Sequence, residues 1–502
     1  MDRRPAKNYF DNPNTKEDLK SRAIRGGGVV IGAQICKFLI KFLTTVVLAR
    51  LITPEDFGLI AMVAAITNFI AMFNDMGLSM ATVQQEEITQ EQVSTLFWIN
   101  LAVGAGLTAL TIAIAPFVSR FYDSPRLRWI TIVLASGFLI RGVSVQHQAL
   151  LVRQMRYSAL AVVEVLSILV GIALGILAAF RGMSYWSLII MQLSTAFALS
   201  LGFWVACNWR PGVPVRGAGV RSMLQYGGNL TGFSVLNYFS RNLDNVLIGR
   251  YWGPQQLGFY DRAYQLMLFP ITQFITPISS VAVPVLSRLQ NEPERFKRYY
   301  FGALNLIAFI VCPLVAVMAV MSKEIILFLL GPQWGGASII FKALAFVVFV
   351  QPLSSTVGWV YQSLGKTDRF MRWGMISAPI YSFSFIIGLR WGANGVAIAY
   401  TVCCYLLLLP TIFYAFKGTC LRMTDFFQSI LCPVVIGLVM YPAMTIYRSS
   451  MTYLSPGYFL IGSIISVLFI LLLIILAWPR ARKEAYCVFE NIKSFRYVVS
   501  SE

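Results

Sequence analysis

Charge is scarce in this chain. Asp, Glu, Lys and Arg together make up 13% of its 502 residues, about half of the roughly 25% that a soluble globular domain carries. A water-facing surface cannot be built at that composition, and a soluble enzyme is excluded. Histidine occurs once. The 8 cysteines form no CxxC pair and mostly sit inside apolar runs or at their ends, so neither a zinc site nor a disulfide framework is indicated and they read as small buried hydrophobes. Long polar stretches are missing too: the longest connection, about residues 207 to 221, could not hold a folded domain. A membrane glycan polymerase or ligase would need a sizeable outer loop or a catalytic carboxylate cluster. Glu55, Asp56 and Asp123 lie near the outer surface without such a context, so the protein is not expected to be an enzyme, and no cofactor is implied.

What is abundant is apolar matter, 57% of the chain, arranged in evenly spaced blocks of about 20 residues, the length that crosses a bilayer. The blocks begin near Gly26, Phe57, Val93, Leu127, Ser158, Met183 and Ser222, and again near Leu257, Tyr300, Gly335, Arg372, Ala393, Phe426 and Gly457. The expected fold is an all-α polytopic membrane protein of about fourteen transmembrane helices. The polar, basic start leads into a full-length apolar segment, so the first span is expected to remain in the mature protein.

The formal net charge of +19 has a topological reading rather than a nucleic-acid one, because little surface remains on which a nucleic-acid groove could form. Placed on this span pattern, the lysines and arginines on the side of the N-terminus, among them Arg22, Arg25, Arg153, Arg156, Arg295 and Lys297, far outnumber those on the other side, such as Arg50, Arg120 and Arg250. By the positive-inside rule both termini are expected to be cytoplasmic. The basic ends, including Trp478-Pro-Arg-Ala-Arg-Lys483, would also be held by anionic inner-leaflet lipids.

The chain matches itself at an offset of 200. Gly27, Gly28, Gly32, Leu43, Val46, Arg50, Pro54 and Gly58 fall on Gly227, Gly228, Gly232, Leu243, Val246, Arg250, Pro254 and Gly258. Chance likeness of two apolar helices accounts for Leu and Val but not for shared Arg, Pro and Gly. Six spans separate the copies, and an even number makes them run the same way. This predicts two parallel six-helix lobes with pseudo-two-fold symmetry plus two extra C-terminal helices, an arrangement found in transporters that bind substrate between lobes. The organisation is a basic N-terminal segment (1–25), an N-lobe (26–206), a linker (207–221), a C-lobe (222–416), the extra helices (417–480) and a tail (481–502).

Polar residues in the spans are spaced to share faces. Gln34, Lys37, Lys41 and Thr44 lie on one face of the first span, and Ser234, Asn237, Arg241 and Asp244 repeat that stripe 200 positions on. Lys41 and Arg241 are therefore expected at equal depth across the lobe interface. A cation inside the membrane is costly unless it meets water or a partner, which makes such residues functional candidates; the competing reading for Lys41 is snorkelling to the headgroups. Arg141, Ser144 and Gln148 form a further face in the fourth span, and Glu164 is placed to neutralise either Arg141 or one of the lysines. A cavity lined by Lys37, Lys41, Arg141 and Arg241, with Gln34, Asn237 and Gln148 as neutral polar groups, suits an anion, of which phosphate and pyrophosphate are the commonest with a large apolar attachment. A cationic drug would be repelled. Asp244 with Asn242 and Asn245 has the composition of a Na⁺ site or a titrating proton site, and equally that of a salt bridge from Asp244 to Arg241. Pro270, Pro277 and Pro284 are kink candidates.

Several ordered motifs carry a resemblance. They are Arg50-x-x-x-Pro54-x-x-Phe57-Gly58, Asp75-Met-Gly77-Leu, Leu96-Phe-Trp98-Ile-Asn100, Gly258-Phe-Tyr260-Asp-Arg-Ala263-Tyr264-Gln-Leu266, Pro284-Val-Leu-Ser287-Arg288 and Gly331-Pro-Gln-Trp334. With them the chain resembles the Wzx-like polysaccharide flippases of the colanic-acid and succinoglycan exporter type, in the multidrug/oligosaccharidyl-lipid/polysaccharide superfamily. The resemblance implies translocation of an undecaprenyl-pyrophosphate-linked oligosaccharide to the outer leaflet by alternating access coupled to Na⁺ or H⁺. Membrane lipids and a polysaccharide polymerase machinery are its implied partners. The motif residues Arg50, Pro54, Asp75, Arg250 and Pro254 are expected to serve lobe contacts or gating. The nearest rival is a multidrug antiporter of the same superfamily, which usually has twelve spans and an acidic cavity. The charge asymmetry makes a direct prediction: a reporter that is active only outside the membrane stays silent when fused after residue 502, and activity there would overturn the orientation.

Overall fold

In the computed structural model the described residues are 16–450, except 76, 86 and 216–220, together with scattered positions between 462 and 482; of residues 16–31 and 221–241 the backbone alone is described, apart from Tyr238. The described residues are helical, with no strand among them. They divide into two compact units, the first ending at Gly258 and the second beginning at Phe259.

The first unit starts with α1 (Lys16–Leu51) and α2 (Pro54–Ala71). The break between them is written in Thr53-Pro54. The Thr53 hydroxyl accepts from the Asp56 N–H at 3.3 Å, while Pro54 occupies the first turn, where no N–H is needed. The Asp56 carboxylate in turn accepts from the hydroxyls of Thr53 at 2.8 Å and Ser184 at 2.6 Å, which explains why this acid is buried at an outer turn.

The second and fourth blocks, continuous in the sequence reading, are each interrupted. After α2 the chain turns through Gly77, whose φ of 68° is left-handed, and resumes as α3 (Leu78–Gln84). Asp75 supplies the missing cap, accepting from the Ser79 N–H at 2.9 Å and the Ser79 hydroxyl at 2.5 Å. Next come α4 (Gln90–Phe121), opened by a capping box between Thr89 and Gln92, α5 (Arg126–Gly142) and α6 (Val145–Arg153). The last two are separated by two residues, and α6 packs on α3. Finally α7 (Tyr157–Phe180) and α8 (Trp186–Cys207) pair closely. Segment 208–215 is tied to α4: Trp209 donates to Gln90 Oε1 at 2.6 Å, Gln90 donates to the Arg210 carbonyl at 3.0 Å, and Trp98 donates to the Gly212 carbonyl at 2.9 Å. The single histidine, His147, is fully buried and stacked on Trp204 with centroids 4.2 Å apart, a packing role.

The helix α9 (Arg221–Arg288) is broken at Gly253, with φ 79° and ψ 179°. This break falls 200 positions after Thr53 and directly before Pro254, so the repeated motif produces the same event twice, a helix end followed by a proline-started helix. The two copies also meet. A Cβ on Gly58 would lie 1.7 Å from the Pro254 carbonyl oxygen, and one on Gly258 would lie 1.9 Å from that of Pro54. Each glycine thus seats the other copy's proline turn, a reciprocal contact that any side chain would push apart.

The second unit continues from α9 with α10 (Pro293–Val320), α11 (Ser322–Leu329), α12 (Ala337–Ala345), α13 (Val347–Ser363), α14 (Thr367–Gly388), α15 (Gly392–Phe416) and α16 (Met423–Ser450). Ring contacts of Phe385 with Tyr400 and of Trp373 with Tyr414 give α14 and α15 an antiparallel register. Asp261 and Arg262 pair with each other at 2.8 Å.

Among the described residues nine helical stretches are long and apolar enough to cross a membrane, or eleven if two bent pairs each form one span. One of the nine, Thr367–Phe416, is the α14–α15 hairpin counted as a single stretch. The block expected from Gly457 lies almost wholly outside the described residues. The protein is therefore an all-α polytopic membrane protein.

The reciprocal glycine contact yields a prediction. Gly58→Ala and Gly258→Ala should each lower the thermal unfolding midpoint in detergent, at a cost of about 1–3 kcal/mol for overpacking. Gly32→Ala, where a Cβ meets nothing within 4 Å, should not; equal midpoints for all three would refute the contact.

Candidate functional site

Every cation singled out from the sequence belongs to the first unit. On α1, Gln34 and Lys41 are exposed and Lys37 is half-buried. Lys37 reaches α7, the helix α1 packs against, and its Nζ lies 2.5 Å from Glu164 Oε2, with side chains 21% and 30% exposed. This resolves the two partners open to Glu164: it neutralises Lys37, and among the described residues Arg141 forms no ion pair. Lys41, one turn further along α1, likewise forms none among the described residues. Its carbonyl serves as acceptor for the Thr45 hydroxyl at 2.9 Å.

Arg141 stands in the last turn of α5, and Gln148 lies beyond the interruption on α6. Both are exposed, while Ser144 between them is buried. Ser144, expected on the same face, is buried, and the break sets Arg141 and Gln148 on separate helices. The side chains of Asn237 and Arg241 lie outside the described residues. Beyond them on α9, Asp244 is 4% exposed, and its Oδ1 accepts from the Asn245 N–H at 2.8 Å. Asn242 donates to the Tyr238 carbonyl at 3.0 Å. The Asn242 amide thus serves the helix that carries it. Among the described residues no group of three or more His, Cys, Asp or Glu side chains could hold a metal ion.

The motif residues cap, brace and end helices. Pro54 and Pro254 start helices after the two breaks, and Asp75 caps α3. Arg50 is exposed at the end of α1. Arg250 approaches Asp123 at 3.8 Å and lies over the Phe121 ring. Beside it Arg126 pairs with Glu55 at 3.1 Å. Of the three acids without catalytic context, Glu55 and Asp123 are thus ion-pair partners and Asp56 accepts from hydroxyls.

The sequence reading missed a buried polar chain that holds the interrupted spans together. Thr82 donates to Gln146 Oε1 at 2.9 Å, Gln146 donates to Asn100 Oδ1 at 2.9 Å, and Asn100 donates to the Asn74 carbonyl at 3.4 Å. Arg153, counted above among cytoplasmic cations, is 3% exposed. Its guanidinium donates to the carbonyls of Thr82 at 3.1 Å and of Gln85, closing the open C-terminal end of α3. The signal was present in Asn100 and Gln146, amides in the middle of apolar blocks.

The unit thus exposes Gln34 and Lys41 on α1 and Arg141 and Gln148 on α5 and α6, and holds a half-buried Lys37–Glu164 pair between α1 and α7. Such groups can bind an anion by charge-assisted hydrogen bonds.

Comparisons with known proteins agree with this architecture. The chain is similar to the teichuronic acid biosynthesis protein TuaB of Bacillus subtilis, 24% identical over 412 residues that cover 81% of this chain and 85% of that one. It is similar also to the lipopolysaccharide biosynthesis protein WzxC of Escherichia coli, 21% identical over 76% of this chain and 78% of that protein. Among solved structures, the lipid II flippase MurJ in an inward closed conformation superposes with a TM-score of 0.68 over 90% of this chain and 99% of its own, at 15% identity. An inward-facing multidrug resistance MATE family transporter of the MOP superfamily gives 0.59 over 76% and 93%, at 13% identity. These likenesses show that the chain shares the fold of those two structures. The sequence profile described as polysaccharide biosynthesis protein matches residues 47–339, more than half of the chain, and the chain belongs to that family.

Proposed function

We propose that this polysaccharide-biosynthesis transporter is a flippase that carries an undecaprenyl-pyrophosphate-linked oligosaccharide from the cytoplasmic to the outer leaflet, with its termini in the cytoplasm. The observation that carries the reading is the cationic surface of the first unit, where Lys41 and Arg141 lie in membrane-spanning helices, exposed and without an acid partner among the described residues. A charge so placed is costly, and a lipid diphosphate supplies both the countercharge and the acceptor oxygens that lower the cost. Lys37, Lys41, Arg141 and Arg241 hold the diphosphate, and Gln34, Gln148 and Asn237 take hydroxyls of the first sugars. The relatives support the class of cargo, since TuaB and WzxC act in biosynthesis of surface polysaccharides by their names, and MurJ is a lipid II flippase.

Alternating access driven by a Na⁺ or H⁺ gradient completes the cycle, with Asp244, Asn242 and Asn245 as the coupling-ion group; the buried Asp244 carboxylate is the acidic member of that set. A multidrug transporter shares the fold, but the exposed Lys41 and Arg141, without an acid partner among the described residues, disfavour a cationic drug.

The test follows protection of a labelled undecaprenyl-pyrophosphate oligosaccharide from a membrane-impermeant reagent in proteoliposomes. Wild type should flip it under an imposed gradient. Lys41→Ala with Arg241→Ala, folded by thermal midpoint, should lose on the order of tenfold or more in rate, the equivalent of at least one 1.4 kcal/mol interaction. A wild-type rate in the double variant removes the assignment of the site, and absence of flipping by wild type removes the function.

A further inference from the structure

The ion pair between Lys37 and Glu164 points to a role for Glu164 that the cationic surface alone does not give. We infer that Glu164 is an internal anion that trades places with the substrate's diphosphate on Lys37, holding Lys37 when the site is empty and expelling the diphosphate when the substrate leaves. The inference rests on the flippase reading above and deepens it.

Two observations and one general argument support the exchange. The pair is close, 2.5 Å between Nζ and Oε2, yet its side chains are 21% and 30% exposed, so an incoming anion can reach the ammonium without unpacking the helices. Lys41 follows four residues later on the same helix, about 6 Å along the axis, and is exposed with no ion pair among the described residues. A diphosphate that docks first on Lys41 therefore has its second phosphate within one turn of Lys37. The adhesion of α1 to α7 also does not need the pair, because replacing a buried ion pair by apolar groups of similar volume is often neutral or stabilising. A phosphate oxygen and a carboxylate oxygen are the same kind of acceptor for an ammonium, so one displaces the other without new geometry at Lys37.

The exchange gives binding and release a shared device. On loading, the diphosphate takes Lys37 and the tie between α1 and α7 opens. On unloading, Glu164 returns to Lys37, and the diphosphate loses one of its cations when it must leave. Without such a competitor a strongly cationic site would hold its ligand through the cycle, and tight binding that persists in every state slows turnover.

The consequence has a sign that a merely structural salt bridge would not give. Farnesyl diphosphate, a short prenyl diphosphate, serves as the binding probe for the purified full-length protein. Glu164→Gln should bind it about tenfold more tightly than wild type. In proteoliposomes the same variant should show a lower half-saturating concentration together with a maximal flipping rate reduced on the order of tenfold. Glu164→Asp, which keeps the carboxylate, should return both quantities toward wild type. The cycle is closed by Lys37→Gln with Glu164→Gln, a neutral pair that preserves shape. There, loss of the carboxylate should give no tightening relative to Lys37→Gln alone, because Glu164 acts only through Lys37. Binding by Glu164→Gln that is unchanged or weaker overturns the exchange, as does a tightening that persists without Lys37; should Glu164→Gln fail to fold, the comparison of the neutral pair with Lys37→Gln decides. If wild type binds no prenyl diphosphate, the flippase reading itself fails and the exchange with it, whereas binding by wild type with no response to Glu164 removes the exchange alone.

Discussion

Everything in this fold follows from one constraint: inside hydrocarbon a backbone N–H or C=O has no water to bond, and each one left open costs several kcal/mol. A continuous helix meets the constraint by itself. An interrupted helix does not, so each interruption needs a local repair, and the polar residues of the first unit are largely those repairs. Thr53 caps α2, Asp75 caps α3, and Arg153 takes up the carbonyls that α3 leaves open at its other end. The Thr82–Gln146–Asn100 chain then ties α3 and α6 to α4. Arg153 shows how far the constraint reaches, for burying a guanidinium is costly in itself and is tolerated where several carbonyls share the charge.

This separates two uses of polarity that look alike in a sequence. Asp75, Asn100, Gln146 and Arg153 form hydrogen bonds with the protein's own helices. Lys41 and Arg141 spend none of their charge on an ion pair among the described residues. A residue of the first sort makes the transporter's irregular spans possible, and one of the second sort is available to cargo. Lys37 falls between, committed to Glu164 yet partly open, which is the property that suits a group whose partner changes during a cycle.

Much of this was legible in the sequence, for physical reasons. Apolar blocks are long and repetitive, so the membrane class and most helices could be read from composition and length. The offset-200 repeat could be read because arginine, proline and glycine are improbable matches in apolar helices, and both of its copies end a helix just before a proline. The interruption at residues 72–77 was not legible, since Met72 and Phe73 keep the block apolar while the chain leaves the helix, and the cue was the short Asp75-x-Gly77 that could also pass for a loop. Nor could spacing choose the partner of Glu164. Helical periodicity places residues on faces of their own helix but does not say which neighbouring helix comes close; the packing of α1 on α7 decided it.

The reciprocal glycines connect the repeat to its purpose. The offset-200 match gives two turns of similar sequence, and in the structure each turn seats against the other. Gly58 under Pro254 and Gly258 under Pro54 are this kind of match. The contact rests on shape alone, backbone against backbone, with no hydrogen-bonded partner to exchange, whereas Arg250 with Asp123 and Arg126 with Glu55 add exposed ion pairs around it, each worth little. A close-packed but weakly charged junction at one end of the repeated helices, with cations further along one of them, puts the part that must hold shape and the part that must change partner at different depths of the same helix. For α1 those parts are the turn at Thr53-Pro54 and the lysines at 37 and 41, about three to four and a half helical turns apart, so the proposed change of partner at the lysines would leave that junction in place.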